Sequence, residues 1–176
     1  MPDKEEDMDE FLFVHQSNAQ KHLLERYGQE ICLLDATYKT FKFDVPLFCV
    51  CVSTNSGLVV VGLFILPHET CFHIKRGLAV LKDWNPNGKP TYLMTDYDRK
   101  EIRAVEETFP GCFSFLCDFH REQAWKRWVG PANGVKDADE VLTMLRSIAN
   151  SPDEATYNET VGVLKSSSHW LDNKSL

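Results

Sequence analysis

Residues Ile31–Tyr38 read ICLLDATY, an apolar run broken by a single carboxylate at Asp35. Two similar runs follow closely, VPLFCVCVS at Val45–Ser53 and LVVVGLFIL at Leu58–Leu66. Short apolar runs rich in Val, Ile and Phe and bounded by turn residues predict strands, and Asn55-Ser56-Gly57 predicts a hairpin between the second and third. With a short gap also separating the first two, the three form an antiparallel meander. Upstream, FLFVHQS (Phe11–Ser17) reads as a short strand and Asn18–Tyr27 as a helix stopped by Gly28.

Beyond Leu66 the period changes. Ile74, Leu78, Leu81 and Trp84 recur at helical spacing within Glu69–Trp84. Pro90–Asp96 (PTYLMTD) predicts a fourth strand of the main sheet and Asp98–Phe109 a helix facing inward through Ile102, Val105 and Phe109. Cys112–Phe119 (CFSFLCDF) predicts a fifth strand, running into the helix HREQAWKRWV. Strands separated by helices pair in parallel through right-handed crossovers. The expected fold class is therefore α/β: a mixed five-stranded sheet, three antiparallel strands followed by parallel ones, with flanking helices. From Gly134 onward the pattern is all-helical. Val141, Leu142, Leu145 and Ile148 define one helix, Ala155–Lys165 a second, and the last ten residues read as loop.

The chain has 176 residues, 43% of them hydrophobic, with eleven Phe and four Trp, enough for one packed domain. Residues 1–10 carry −5 of the formal net charge of −7, so the body is near neutral. The expected division is an acidic disordered tail at 1–10, a main domain at 11–130 and a partial helical extension at 131–176. A generally basic nucleic-acid-coating protein is excluded; a local basic groove is not. No apolar stretch is long enough for a membrane span, and the acidic start is not a secretory signal. The six cysteines sit mostly inside apolar runs, as free buried thiols do in a reducing compartment.

Asp35 lies in what should be the central strand, where an ionised carboxylate is costly unless paired, hydrogen-bonded or on a metal. Asp96 ends the fourth strand, which neighbours the first in this topology. Two convergent carboxylates stay ionised when a cation lies between them, and oxygen-only ligands suit Mg²⁺ or Mn²⁺. The plainer reading makes each a turn or cap residue. For Asp96 that role is already filled, because Asp98 and Glu101 have the spacing of a capping box.

LLDATYKT, LMTDYDRKEIRAVEETFPG and FLCDFHREQAWKRWV, in that order, resemble the transposase domain of Mutator-like DNA transposons over Phe11–Val129. More narrowly, they resemble the domesticated copies found in SWIM-type zinc-finger proteins. The resemblance implies an RNase H-like fold and a DDE-type transposase ancestry. It implies catalytic, metal-binding carboxylates at Asp35 and Asp96 and a Cys-x-x-His signature at Cys117 and His120. It places Cys117, His120 and Arg121 near nucleic acid. The Cys-x-x-His pair alone does not complete a four-ligand zinc site. The third acid of such a site is expected beyond Leu176, since Asp137/Glu140 and Ser151/Pro152/Glu154 read as helix starts. Two functions follow from the resemblance. One is a catalytically incomplete domain binding DNA or protein partners within a nuclear factor. The other is an active Mg-dependent DNA transposase or nuclease. Mg²⁺ or Mn²⁺ is implied only for the active form. No small-molecule cofactor and no membrane partner are expected, and the location is nuclear by resemblance, otherwise cytoplasmic.

Overall fold

The computed structural model describes residues 11–38, 42, 45–96 and 98–172. The acidic tail expected at 1–10 lies outside the described residues. The strands are β1 (Phe13–His15), β2 (Ile31–Thr37), β3 (Leu47–Thr54), β4 (Gly57–Ile65), β5 (Tyr92–Thr95) and β6 (Phe113–Leu116). They form one sheet in the order β1-β4-β3-β2-β5-β6. β2, β3 and β4 are the antiparallel meander, and β5 and β6 add in parallel beside β2. Counted from β2, the order is 3-2-1-4-5, the arrangement of an RNase H-like core.

The sheet has six strands where five were expected. Phe13–His15 pairs antiparallel with the open edge of β4, matching Phe13 to Ile65 and His15 to Leu63. The short strand read at Phe11–Ser17 is thus the added sheet member, paired to the free ladder groups of β4.

Helices α1 (Asn18–Tyr27), α2 (Cys71–Trp84) and α3 (Arg99–Thr108) supply the helical layer. Ser17 and Gln20 close a capping box at the start of α1, and Thr70 caps α2. Helix α2 buries Ile74, Leu78 and Leu81, three of the four positions that its spacing marked; Trp84 stays 40% exposed. These side chains join Cys32, Leu34, Phe48, Val50, Val52, Val61, Phe64 and Leu93 in one core. Phe48 and Phe64 stack at 5.0 Å between ring centroids. Gly77 lets α2 approach this stack: a Cβ there would sit 2.5 Å from the Phe64 ring.

The chain divides into two compact units between Cys117 and Asp118. The second holds α4 (Asp118–Trp128), a 3₁₀ turn at Pro131–Asn133, α5 (Ala138–Ala149), α6 (Glu154–Ser166) and α7 (Ser168–Asp172). Val129, Val141 and Leu142 form its small core, with Trp125, Val135, Ala138 and Leu145 packed around them. Three local readings change here. Asp137 makes no capping bond and has φ of 53°, because the turn after Gly134 enters the helix through a left-handed residue. Helix α6 is capped by Asp153, bonded to the Thr156 amide at 2.8 Å, and not by Ser151. Ser168–Asp172 is helical rather than loop.

Candidate carboxylate site

The parallel ladder between β2 and β5 runs Ile31–Tyr92, Cys32–Leu93, Leu33–Met94. Asp35 lies two residues further along β2 and Asp96 two residues past Met94, one beyond the end of β5, so the parallel pair carries both toward the same end of the sheet. The pleat explains the environment of Asp35. Cys32 and Leu34 turn into the core, while Leu33 and Asp35 alternate to the other face and are half-buried. Across the antiparallel ladder Asp35 faces Cys49. Burial first, and then the Asp35 charge, raises the Cys49 thiol; Cys51 is pushed up to about 11 by burial, Cys49 and Asp35. Both thiols are therefore protonated spectators at neutral pH.

Asp96 is exposed just past the end of β5. Its Oδ1 accepts the Asp98 amide at 3.1 Å, which turns the chain into α3. Asp98 then caps the helix, accepting from the Lys100 amide at 2.7 Å. The capping box expected from Asp98 and Glu101 is not closed, because the Asp98 amide is already given to Asp96.

Glu101 points inward instead. It is 1% exposed and shares the inner face of α3 with Ala104, Val105 and Thr108. Burial first, then a hydrogen bond to Asp96 and the charges of Asp96, Asp98 and Glu69, push its carboxyl up to about 9. At neutral pH Glu101 is a neutral acid donating to Asp96. Its Oε2 is buried and receives no hydrogen bond. The sequence did carry a signal for this: Glu101, Ala104, Val105 and Thr108 recur at i, i+3, i+4 and i+7, the spacing of a buried face.

Glu69, directly before the cap of α2, completes the edge. The Tyr38 hydroxyl donates to Glu69 Oε2, and Lys100 Nζ donates to Oε1 at 2.8 Å. Lys100 also lies 3.4 Å from Asp98 Oδ2. Partial burial and the bond to Glu69 raise the Tyr38 phenol; the same carboxylate is the main cause raising Lys100. Neither Glu69 nor Tyr38 was singled out in the sequence.

The remaining expected residues divide between the two units. Cys117 donates its amide to the Thr95 carbonyl at 2.8 Å, one residue before Asp96. His120 and Arg121 lie in the first turns of α4 in the second unit. There Arg121 pairs with Asp118 at 2.9 Å and stands over the Trp125 ring at 5.0 Å.

Asp35 and Asp96 offer the oxygen-only donors that suit a hard divalent cation. Among the described residues no group of three or more His, Cys, Asp or Glu side chains is gathered closely enough to hold a metal.

The profile of the MULE transposase domain matches residues 31–123, more than half of the chain, and includes Asp35, Asp96, Glu101 and Cys117. The protein belongs to the MULE transposase domain family. No curated protein matches it. Among solved structures, it resembles the HTLV-2 integrase catalytic core domain in complex with magnesium (dimeric form), at 17% identity and a TM-score of 0.38. That match covers 79% of this chain and 87% of the integrase chain. It also resembles a chain of the simian T-cell lymphotropic virus intasome in complex with a PP2A regulatory subunit, at 14% identity and a TM-score of 0.38. There it covers 80% of this chain and 49% of the other. At these values neither likeness carries functional weight. Among the described residues no helix is long and apolar enough to cross a membrane.

Proposed function

We propose that the protein is a transposase-derived DNA-binding domain of a nuclear factor whose carboxylate edge is catalytically incomplete. Asp35 and Asp96 hold Mg²⁺ or Mn²⁺ weakly there. The observation that carries this reading is the burial of Glu101. The third carboxyl near the edge is 1% exposed, packed on the inner face of α3 with Ala104, Val105 and Thr108 and bonded to Asp96, rather than open at the edge. A divalent ion at such an edge supplies Lewis-acid activation for in-line phosphoryl transfer. The residues' own part is to fix it: Asp35 from the rigid centre of β2, Asp96 from the turn braced by the Asp98 amide.

By the sequence resemblance Cys117, His120 and Arg121 are taken to approach the nucleic acid; the bond between the Cys117 amide and Thr95, next to Asp96, supports this for Cys117. Residues 11–130 are taken as the transposase-derived domain and 131–176 as a helical extension. The placement within a nuclear protein of the SWIM type rests on the sequence resemblance, and protein partners complete the role.

Duplex DNA affinity measured across a salt series tests the binding role, with a steep fall as salt rises expected for phosphate contacts. No binding at low salt leaves protein partners alone. The rival reading, an active Mg-dependent transposase or nuclease, is favoured by the neighbouring parallel strands β2 and β5, which carry Asp35 and lead to Asp96. Robust Mn²⁺-dependent strand cleavage lost in Asp96→Asn decides for that rival.

A further inference from the structure

A cavity of about 320 Å³ opens between helix α1 and the turn that joins α2 to β5. One wall is a single face of α1, where Asn18, Lys21, His22 and Glu25 recur at i, i+3, i+4 and i+7. The other is the Trp84–Gly88 turn, which brings the exposed Trp84 indole and Asn87. The two walls are fixed to each other and to the sheet. Asn85, 9% exposed, donates its side-chain amide to Gln16 Oε1 at 2.7 Å and to the Leu81 carbonyl at 2.6 Å. Gln16, just ahead of the Ser17 cap of α1, donates in turn to the Val61 carbonyl in β4 at 2.8 Å. The Gly88 amide closes the turn onto the Asn85 carbonyl at 2.9 Å, and a Cβ on Gly88 would lie 3.6 Å from Leu24 Cγ in α1. The cavity is thus preformed, which spares a ligand the cost of ordering it.

We propose that this cavity binds a nucleotide, free or as the end of a nucleic-acid strand, with the base stacked on Trp84 and the phosphate on Lys21. Lys21 Nζ lies 5.5 Å from the centre of the Trp84 ring, so an aromatic face and a cation already meet here. A cation over an exposed ring is a modest contact. An incoming base replaces the ammonium on the indole and the ammonium turns to the phosphate. One cation–π contact is exchanged for a stack and a charge-assisted bond. His22, beside Lys21 on α1, adds a ring nitrogen for the phosphate, and Asn18 and Asn87 can each donate and accept at the base edge. Glu25, one turn further along α1, accepts from the exocyclic amine of adenine or cytosine, and its charge keeps the phosphate at the Lys21 end. None of these residues belongs to the carboxylate edge: the turn feeds the start of β5, and Asp96 lies past its far end. The assignment therefore rests on neither the cation nor the duplex reading.

The test is titration of the full chain with dAMP, with deoxyadenosine and with a 5′-phosphorylated single strand that begins with deoxyadenosine. Calorimetry and saturation-transfer resonance of the ligand protons read the binding. Deoxyadenosine, which lacks the phosphate, should bind several-fold more weakly than dAMP. Trp84→Ala should weaken dAMP about tenfold, the scale of one base–aromatic stack. Lys21→Met should remove most of the advantage of dAMP over deoxyadenosine. If Trp84→Ala fails to fold, Lys21→Met and the deoxyadenosine comparison carry the test. A strand that binds more tightly than dAMP, and loses that affinity in Trp84→Ala, assigns the strand end; a strand no tighter than dAMP assigns the free nucleotide. No binding of dAMP or of the strand below about 1 mM overturns the proposal. Binding that Trp84→Ala leaves unchanged, or an advantage of dAMP that Lys21→Met leaves intact, overturns it too, because the nucleotide then sits elsewhere.

Discussion

Replacing Glu101 by Gln should stabilise this protein, and the gain should depend on pH. Glu101 is 1% exposed with its carboxyl pushed up to about 9 from an ordinary 4.5, mainly by burial and then by Asp96. In the unfolded chain the group ionises near its ordinary value; in the folded chain it keeps its proton until far higher pH. Between these limits the unfolded state binds fewer protons, so stability falls as pH rises, by about 1.4 kcal/mol per pH unit at most. Below the unfolded value the effect is absent. At pH 7 the accumulated penalty is about 3 kcal/mol, and it grows until the folded group itself titrates. Gln has nearly the same shape, stays neutral at every pH and can donate to Asp96 as the protonated acid does. Glu101→Gln should thus match the wild type near pH 4.5 and exceed it by up to about 3 kcal/mol at pH 7. For a chain of this size that is a Tm rise of roughly 6–12 °C. Urea unfolding of both proteins at pH 4.5, 5.5, 7 and 8.5 measures the difference, and groups common to both cancel. A difference that is flat across pH, or a Gln variant less stable at pH 8.5 than at pH 4.5 relative to wild type, would refute the assignment of Glu101 as a neutral acid.

Other substitutions probe the fold around that edge. Gly77→Ala drives a methyl against the Phe64 ring, 2.5 Å from the new Cβ, and should cost about 1–3 kcal/mol by calorimetry. Phe64→Ala opens the stack with Phe48 and should cost about 3–5 kcal/mol in the same measurement. Asp153→Ala removes the cap of α6 and should lower stability by about 1 kcal/mol, whereas Ser151→Ala should not cost a cap. Asp137→Gly relieves a left-handed residue that makes no capping bond and should be neutral or stabilising in thermal melts.

The sheet was legible because its strands are short apolar runs bounded by turns, and the change of period after Leu66 separated meander from crossover. That pattern made the strands of Asp35 and Asp96 neighbours; β2 and β5 do pair in parallel, with Asp35 inside β2 and Asp96 one residue past β5. Glu101 was misread for a local reason: three residues after Asp98, at the first turn of a helix, it has the spacing of a capping residue. The competing acceptor for the Asp98 amide is Asp96, and the burial of Glu101 comes from packing beneath the sheet. Glu69 and Tyr38 meet across 31 residues of chain, and no periodicity encodes such a pair. The cap of α6 falls at Asp153, two residues past the expected Ser151, because Asp, Ser and Pro satisfy the same local preferences at neighbouring sites, whereas Asp137 stands at the expected start of α5 but makes no capping bond.

In the proposed function Asp35 and Asp96 share one divalent cation. Calorimetric titration of Mn²⁺ into wild type, Asp35→Asn and Asp96→Asn examines that directly. A single weak site in the wild type, with affinity lowered about tenfold or more by either substitution, is the expected result. Binding that neither substitution changes, or that only one of them changes, contradicts a shared ion.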